Sequence, residues 1–116
     1  MPIGDSLLVV ADTRGSELYV VALDGTPRVL SRIPFPEGSP YGMAADPARK
    51  RLWVAASGSN VLVRYDIGAN GTLTRSEAVI PTVAQPNSVA VDPRNGTVFV
   101  GGATADGGVQ IVSAGT

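Results

Sequence analysis

The chain has 116 residues, 44% of them apolar, with nine basic and ten acidic side chains, no cysteine and no histidine. These totals fit one small globular unit or a piece of a larger one, and they exclude disulfides, zinc fingers, iron–sulfur sites, a thiol nucleophile and a Ser-His-Asp triad. A net charge of −1 argues against electrostatic binding to nucleic acid or an anionic membrane.

Apolar runs such as Leu7–Ala11 are far shorter than the roughly 20 residues of a membrane-spanning helix, so no transmembrane segment is expected. Met1-Pro2-Ile3-Gly4 has neither a charged n-region nor a long apolar core, and no secretory signal is expected there. The compartment stays open.

Short strands rich in β-branched residues follow one another along the chain, each bounded by Gly, Pro, Asn, Asp or Ser. They are predicted near residues 6–11, 17–23 and 27–33, then near 42–45, 51–56, 60–66 and 73–80, and finally near 88–91, 97–101 and 108–113. Asp46-Pro47 and Asn70-Gly71 supply turns: the Asp side chain bonds forward to backbone amides, Pro presets its φ, and Asn-Gly tolerates φ > 0 at both positions. With 14 Gly and 9 Pro, no window keeps a 3.6-residue apolar period, so helices should be absent or very short. Continuous apolar strands such as Leu52–Ala56 imply sheets covered on both faces, as in a sandwich or in stacked blades.

A repeat decides between those two. Pro40-Tyr41-Gly42-Met43-Ala44-Ala45-Asp46-Pro47 returns 46 residues later as Pro86-Asn87-Ser88-Val89-Ala90-Val91-Asp92-Pro93, with Trp53 falling on Phe99 and Val54 on Val100. Leu8-Val9-Val10-Ala11 matches Leu52-Trp53-Val54-Ala55 at an offset of 44. A period in the mid-forties with four short strands per unit marks a β-propeller blade. The fold class is therefore all-β: a partial propeller of four-stranded antiparallel blades, about two and a half of them, with the ring not closed. Residues 5–35 form a blade lacking its inner strand, 40–80 a complete blade, and 86–113 a blade lacking its outer strand.

Pro-x-x-Val-Ala-Val-Asp-Pro, Val-Phe-Val and Val-x-Ile-Val resemble the YVTN-type repeat of seven-bladed propellers, including the lactonase-type propellers. Tyr65-Asp66-Ile67 followed by Asn70-Gly71-Thr72-Leu73-Thr74 is similar to the hairpin of the lactonase-type proteins. The resemblance implies a propeller fold, a binding or scaffolding role or a sugar-lactone hydrolase, and it allows an exported parent protein. The family often carries Asn directly after the Val-Ala of the second strand, where this chain has Asp12, Ala56 and Gly102.

In such a fold the connections between blades and those between second and third strands share one face around the channel mouth. The candidate binding residues there are Tyr41 and Asn87, equivalent positions after the matched prolines, together with Asp12 and Asn60. Tyr41 and Asn87 also read as ordinary loop residues, packing a ring and closing a turn.

Pro86-Asn87-Ser88 and Glu37-Gly38 resemble ligand segments of metal-dependent gluconolactonases of the regucalcin type, but Tyr41 stands where a second ligand segment would offer Asp. One ligand does not make a divalent site, so no catalytic residue, metal ligand or cofactor is assigned. Asp46 and Asp92, repeated at Asp-Pro turns, are read as turn stabilisers on the opposite face, as are Asp24 and Asp66 at strand ends. Arg49-Lys50-Arg51 is read as a solvated turn, and Gly101–Gly108 as a long loop without the ending of a phosphate-binding loop. Asn-Gly-Thr occurs at 70–72 and 95–97 as turn sequence that also spells a glycosylation sequon. Trp53 and Phe99 are expected to fill the space between blades.

The leading expectation is a propeller segment acting as a binding or scaffolding module, with a protein or small-molecule ligand at the channel-mouth face. The alternative is part of a propeller enzyme hydrolysing a sugar lactone. Because even four blades need about 180 residues, the chain is expected to be a fragment, whose open edges are covered by missing blades or by self-association.

Overall fold

In the computed structural model, which describes residues 1–105 and 108–115, eleven strands form three antiparallel sheets. The first sheet runs β1 (Pro2–Gly4), β2 (Leu7–Asp12), β3 (Glu17–Ala22) and β4 (Arg28–Pro34) in order. The second runs β5 (Pro40–Asp46), β6 (Arg51–Ala56), β7 (Val61–Ile67) and β8 (Leu73–Pro81), and the third β9 (Pro86–Val91), β10 (Val98–Gly102) and β11 (Val109–Val112). The only helical turn among the described residues is Ala69–Gly71, where Asn70 and Gly71 take φ of 59° and 77° to reverse the chain between β7 and β8. Asp106 and Gly107 of the long loop after β10 lie outside the described residues.

One expectation needs correcting. The first sheet does carry an inner strand, β1, which pairs with β2 at Pro2↔Leu8 and Gly4↔Leu7. The Met1 ammonium donates to the Val9 carbonyl at 2.9 Å and the Val9 N–H donates to the Met1 carbonyl at 2.8 Å. Tertiary pairing makes this strand, since Pro2 and Gly4 are poor strand formers on their own.

The sheets stack face to face through two cores. Val9, Leu18 and Val20 of the first sheet meet Leu52, Val54, Ala56, Val63 and Tyr65 of the second, with Phe35 from the linking segment between them. The opposite face of the second sheet sends Trp53, Ala55 and Leu62 against Val98, Val100 and Val112 of the third. Strand β6 is thus buried on both sides, which explains its unbroken apolar run. Trp53 fills the second junction as expected, whereas Phe99 projects from the far face of the third sheet. Strand alternation requires this, because Val98 and Val100 already point back toward the second sheet.

The inner strands β5 and β9 run against each other, and Gly42 makes that approach possible. A Cβ at this position would stand 2.6 Å from the Asn87 carbonyl oxygen and 2.9 Å from its carbon. Gly42→Ala should therefore push β9 away and cost about 1–3 kcal/mol of stability, read as a lower denaturation midpoint. An unchanged midpoint would mean that the two inner strands are not in contact in solution.

Candidate functional site

The turn after β2 and the turn after β6 hold the segments that link one sheet to the next, and they do so in the same way twice. Ser16 and Asn60, both with positive φ (54° and 55°), end these turns. The Ser16 carbonyl accepts from Phe35 N–H at 2.9 Å and its Oγ from Ser39 N–H at 3.4 Å. The Asn60 carbonyl accepts from Thr82 N–H at 2.9 Å and its Oδ1 from Gln85 N–H at 2.8 Å. Ser39 and Gln85 are themselves forced to positive φ (52° and 48°), and their carbonyls accept from Ser57 N–H at 3.0 Å and Ala103 N–H at 2.9 Å. Each linker is thus held between the preceding sheet's turn and the end of the following sheet's second strand.

Between the second and third sheets this arrangement leaves a cleft of about 360 Å³ lined by Tyr41, Ser57, Gly58, Gln85, Asn87 and Ala103. The structure brings Tyr41 and Asn87 together in it: Tyr41 is 55% exposed at the start of β5, and Asn87 is half-buried at the start of β9. Asn87 Oδ1 accepts from Ser88 Oγ at 3.3 Å. Neither Asp12 nor Asn60 lines the cleft. Asp12 Oδ1 accepts from Gly15 N–H at 2.8 Å and closes its own turn, while Asn60 positions Gln85 as described. Ser57, Gly58, Gln85 and Ala103 line the cleft as well, and none of them is singled out in the sequence reading above. The 46-residue offset between Ser39 and Gln85 is the signal that picks out the linker position.

On the outer side of the first junction, Arg75 of β8 grips Glu37 with both guanidinium amines, Nη1 donating to Oε1 at 2.7 Å and Nη2 to Oε2. The Glu37 carbonyl accepts from Ser59 Oγ at 3.0 Å. Burial alone would raise the Glu37 carboxyl, but the hydrogen bonds and charge of Arg75 outweigh it and hold the group below the usual carboxylate range. The buried Tyr65 phenol beside this pair is pushed up by burial, with Arg75 opposing and Glu37 adding to the rise.

The basic turn at the opposite end is more than a solvated loop. Arg49 reaches the buried Asp46 carboxylate at 3.2 Å and the Pro93 and Arg94 carbonyls at 3.5 Å each, and Arg51 donates to the Ala114 carbonyl at 2.8 Å. Both arginines tie the second sheet to the third. Asp46 and Asp92 serve their turns, accepting from the Arg49 and Arg94 backbone N–H groups at 3.4 and 2.9 Å. Hydrogen bonds from the Arg94 side chain and backbone hold the Asp92 carboxyl low.

Fold and site together define an open arc of a β-propeller: stacked antiparallel sheets, inner strands side by side, and a cleft at the face shared by the linkers and the second-to-third-strand turns. Comparison with solved structures agrees. A candidate 6-phosphogluconolactonase from Bacteroides uniformis superposes with a TM-score of 0.80 at 12% identity, covering 93% of this chain and 34% of its own. Hydrazine synthase from Kuenenia stuttgartiensis gives 0.66 at 19% identity, covering 91% of this chain and 38% of its own. A protein from Lactobacillus plantarum gives 0.65 at 18% identity, covering 93% of this chain and 39% of its own. The chain thus spans little more than a third of the length of these structures. No family model matches the sequence, and no curated protein matches it.

Two outcomes follow from the ties. Asn60→Ala should cost about 1 kcal/mol and remove the hydrogen-exchange protection of the Gln85 amide, which would persist if the turn were held by packing alone. For Glu37 the folded carboxyl titrates below its unfolded value, so its stabilisation is complete above the unfolded carboxylate range and is lost as pH falls through the folded value. Denaturation midpoints measured across that acid range should fall with pH, and Glu37→Gln should flatten the fall. Coincident profiles for the two proteins would place the acid sensitivity elsewhere.

Proposed function

We propose that this chain is a binding module of a propeller and that its ligand sits in the cleft between the second and third sheets. The observation that carries this reading is the lining itself. Tyr41 offers a phenol, Asn87 and Gln85 offer amides, Ser57 offers a hydroxyl, and Gly58 and Ala103 leave the backbone open. No carboxylate or cationic side chain is among these lining residues. Such a surface suits an uncharged ligand with several hydroxyl or amide groups, because each neutral hydrogen bond gains without desolvating an ion.

The alternative, a segment of a lactone-hydrolysing propeller, is supported by the name of the Bacteroides uniformis neighbour. A titration with glucono-δ-lactone and its 6-phosphate, followed by calorimetry and by acid release with and without added divalent metal, separates the two readings. Binding of the unphosphorylated compound without turnover, weakened about tenfold or more in Tyr41→Ala/Asn87→Ala with Tm unchanged, is the expected result. Turnover above the uncatalysed rate would favour the hydrolase, and binding unaffected by the double variant would remove the cleft from consideration.

A further inference from the structure

The wall of the cleft has a back as well as a front. Ser57 and Gly58 line the cleft from the turn between β6 and β7, and the same turn lies against the linker of the first junction. A Cβ at Gly58 would stand 3.1 Å from Ser39 Oγ and 3.3 Å from Ser39 Cβ, so the turn passes this close because it has no side chain there. Hydrogen bonds fasten the two segments together. Ser57 N–H and Ser57 Oγ both donate to the Ser39 carbonyl, at 3.0 and 3.3 Å, and Ser59 Oγ donates to the Glu37 carbonyl at 3.0 Å. Asn60, which ends the same turn, holds Gln85 on the next linker, and Gln85 also lines the cleft.

The linker has to be fixed before it can fix the turn. Residues 35–39 belong to no strand, and Gly38 and Ser39 both take positive φ, 76° and 52°, so no ladder holds this segment in place. The Glu37 carboxylate does: Arg75 of β8 takes both of its oxygens in a planar fork, which sets direction as well as distance. The Glu37 side chain is 17% and the Arg75 side chain 31% exposed, so solvent screens the pair less than it would a pair on the open surface. The second linker has a neutral counterpart. Val83 stands where Glu37 does one repeat earlier, and the Gln110 amide of β11 accepts from Val83 N–H at 3.0 Å and donates to the Pro81 carbonyl at 2.9 Å. Both linkers are thus clamped to the sheet that follows them, the first by charge. We infer that the Glu37–Arg75 pair positions the cleft: it sets the segment that carries Ser39, which holds Ser57 and its turn, and through Asn60 it holds Gln85. Neither Glu37 nor Arg75 lines the cleft, and the effect on affinity rests on the ligand reading proposed above.

Amide exchange and calorimetry on the whole chain test this. Glu37→Gln keeps the shape of the side chain and removes its charge. Protection of the Ser57 and Gln85 amides should then fall about tenfold more than that of the Asp92 amide, which bonds to the Thr97 carbonyl at 2.8 Å outside this network. Affinity for glucono-δ-lactone should fall about threefold or more in the same variant, with every lining residue intact. Arg75→Lys, which keeps a charge and loses the fork, should lie between wild type and Glu37→Gln in both measurements, and it takes the place of Glu37→Gln should that variant fail to fold. Equal loss of protection at all three amides would show a general loss of stability and overturn the inference. So would unchanged protection at Ser57 and Gln85, or unchanged affinity for a lactone that the wild-type chain binds. Should the wild-type chain not bind the lactone, the ligand reading fails, and the exchange measurement decides the positioning role by itself.

Discussion

Strand β6 has to be covered on both of its faces, and the rest of the structure is arranged around that requirement. Leu52, Val54 and Ala56 face one way, Trp53 and Ala55 the other, and all are buried. A covering layer on one side only would leave one of these faces in water, so the stable arrangement is a sheet on either side. Removing a ring such as Trp53 from a junction of this kind costs about 3–5 kcal/mol. The same demand recurs in weaker form at the ends of the arc, where strands of matching register have a neighbour on one side only.

Face-to-face packing is non-directional and leaves the depth and angle of each sheet loosely fixed. Polar ties at the two ends of the strands complete the specification. At the cleft end, Ser16 and Asn60 each capture a linker by backbone carbonyl and side chain together. At the other end, Arg49 and Arg51 reach from the second sheet to carbonyls beyond the third sheet's strands. The cleft results from this stitching: Gln85 forms part of its wall in a backbone conformation that a non-glycine residue rarely adopts unless its surroundings impose it.

Most strands were legible in the sequence, because β-branched runs between turn residues and the 46-residue offset both carry the physics of a stacked sheet. The ends of β6 at Arg51 and Ala56 coincide with the expected ones, and β5 extends the expected segment at both ends. β1 was not legible: three residues containing Pro and Gly become a strand only by pairing with Leu7–Leu8. The site was legible at the level of segments. The offset marked Tyr41 and Asn87 as equivalent, but nothing local in Ser39 or Gln85 predicts positive φ, since the cause is a pair of ties from other sheets. The Glu37–Arg75 pair joins residues 38 apart in the chain, and Arg49 looked like a solvated charge because its carbonyl partners lie a full repeat away.

The paired ties also bear on how such an arc grows over evolutionary time. The second repeat carries both the turn residue that captures the following linker, Asn60, and the strand end that receives the preceding one, at Ser57. A duplicated unit of about one period therefore arrives with its own fastening and leaves the neighbouring ones intact, provided the breakpoints fall at equivalent positions in successive repeats. Breakpoints out of phase would separate a turn such as that of Asn60 from the linker it holds. Gene-level copying is thus constrained to whole periods by a handful of backbone hydrogen bonds, even though the apolar faces alone would accept many other lengths.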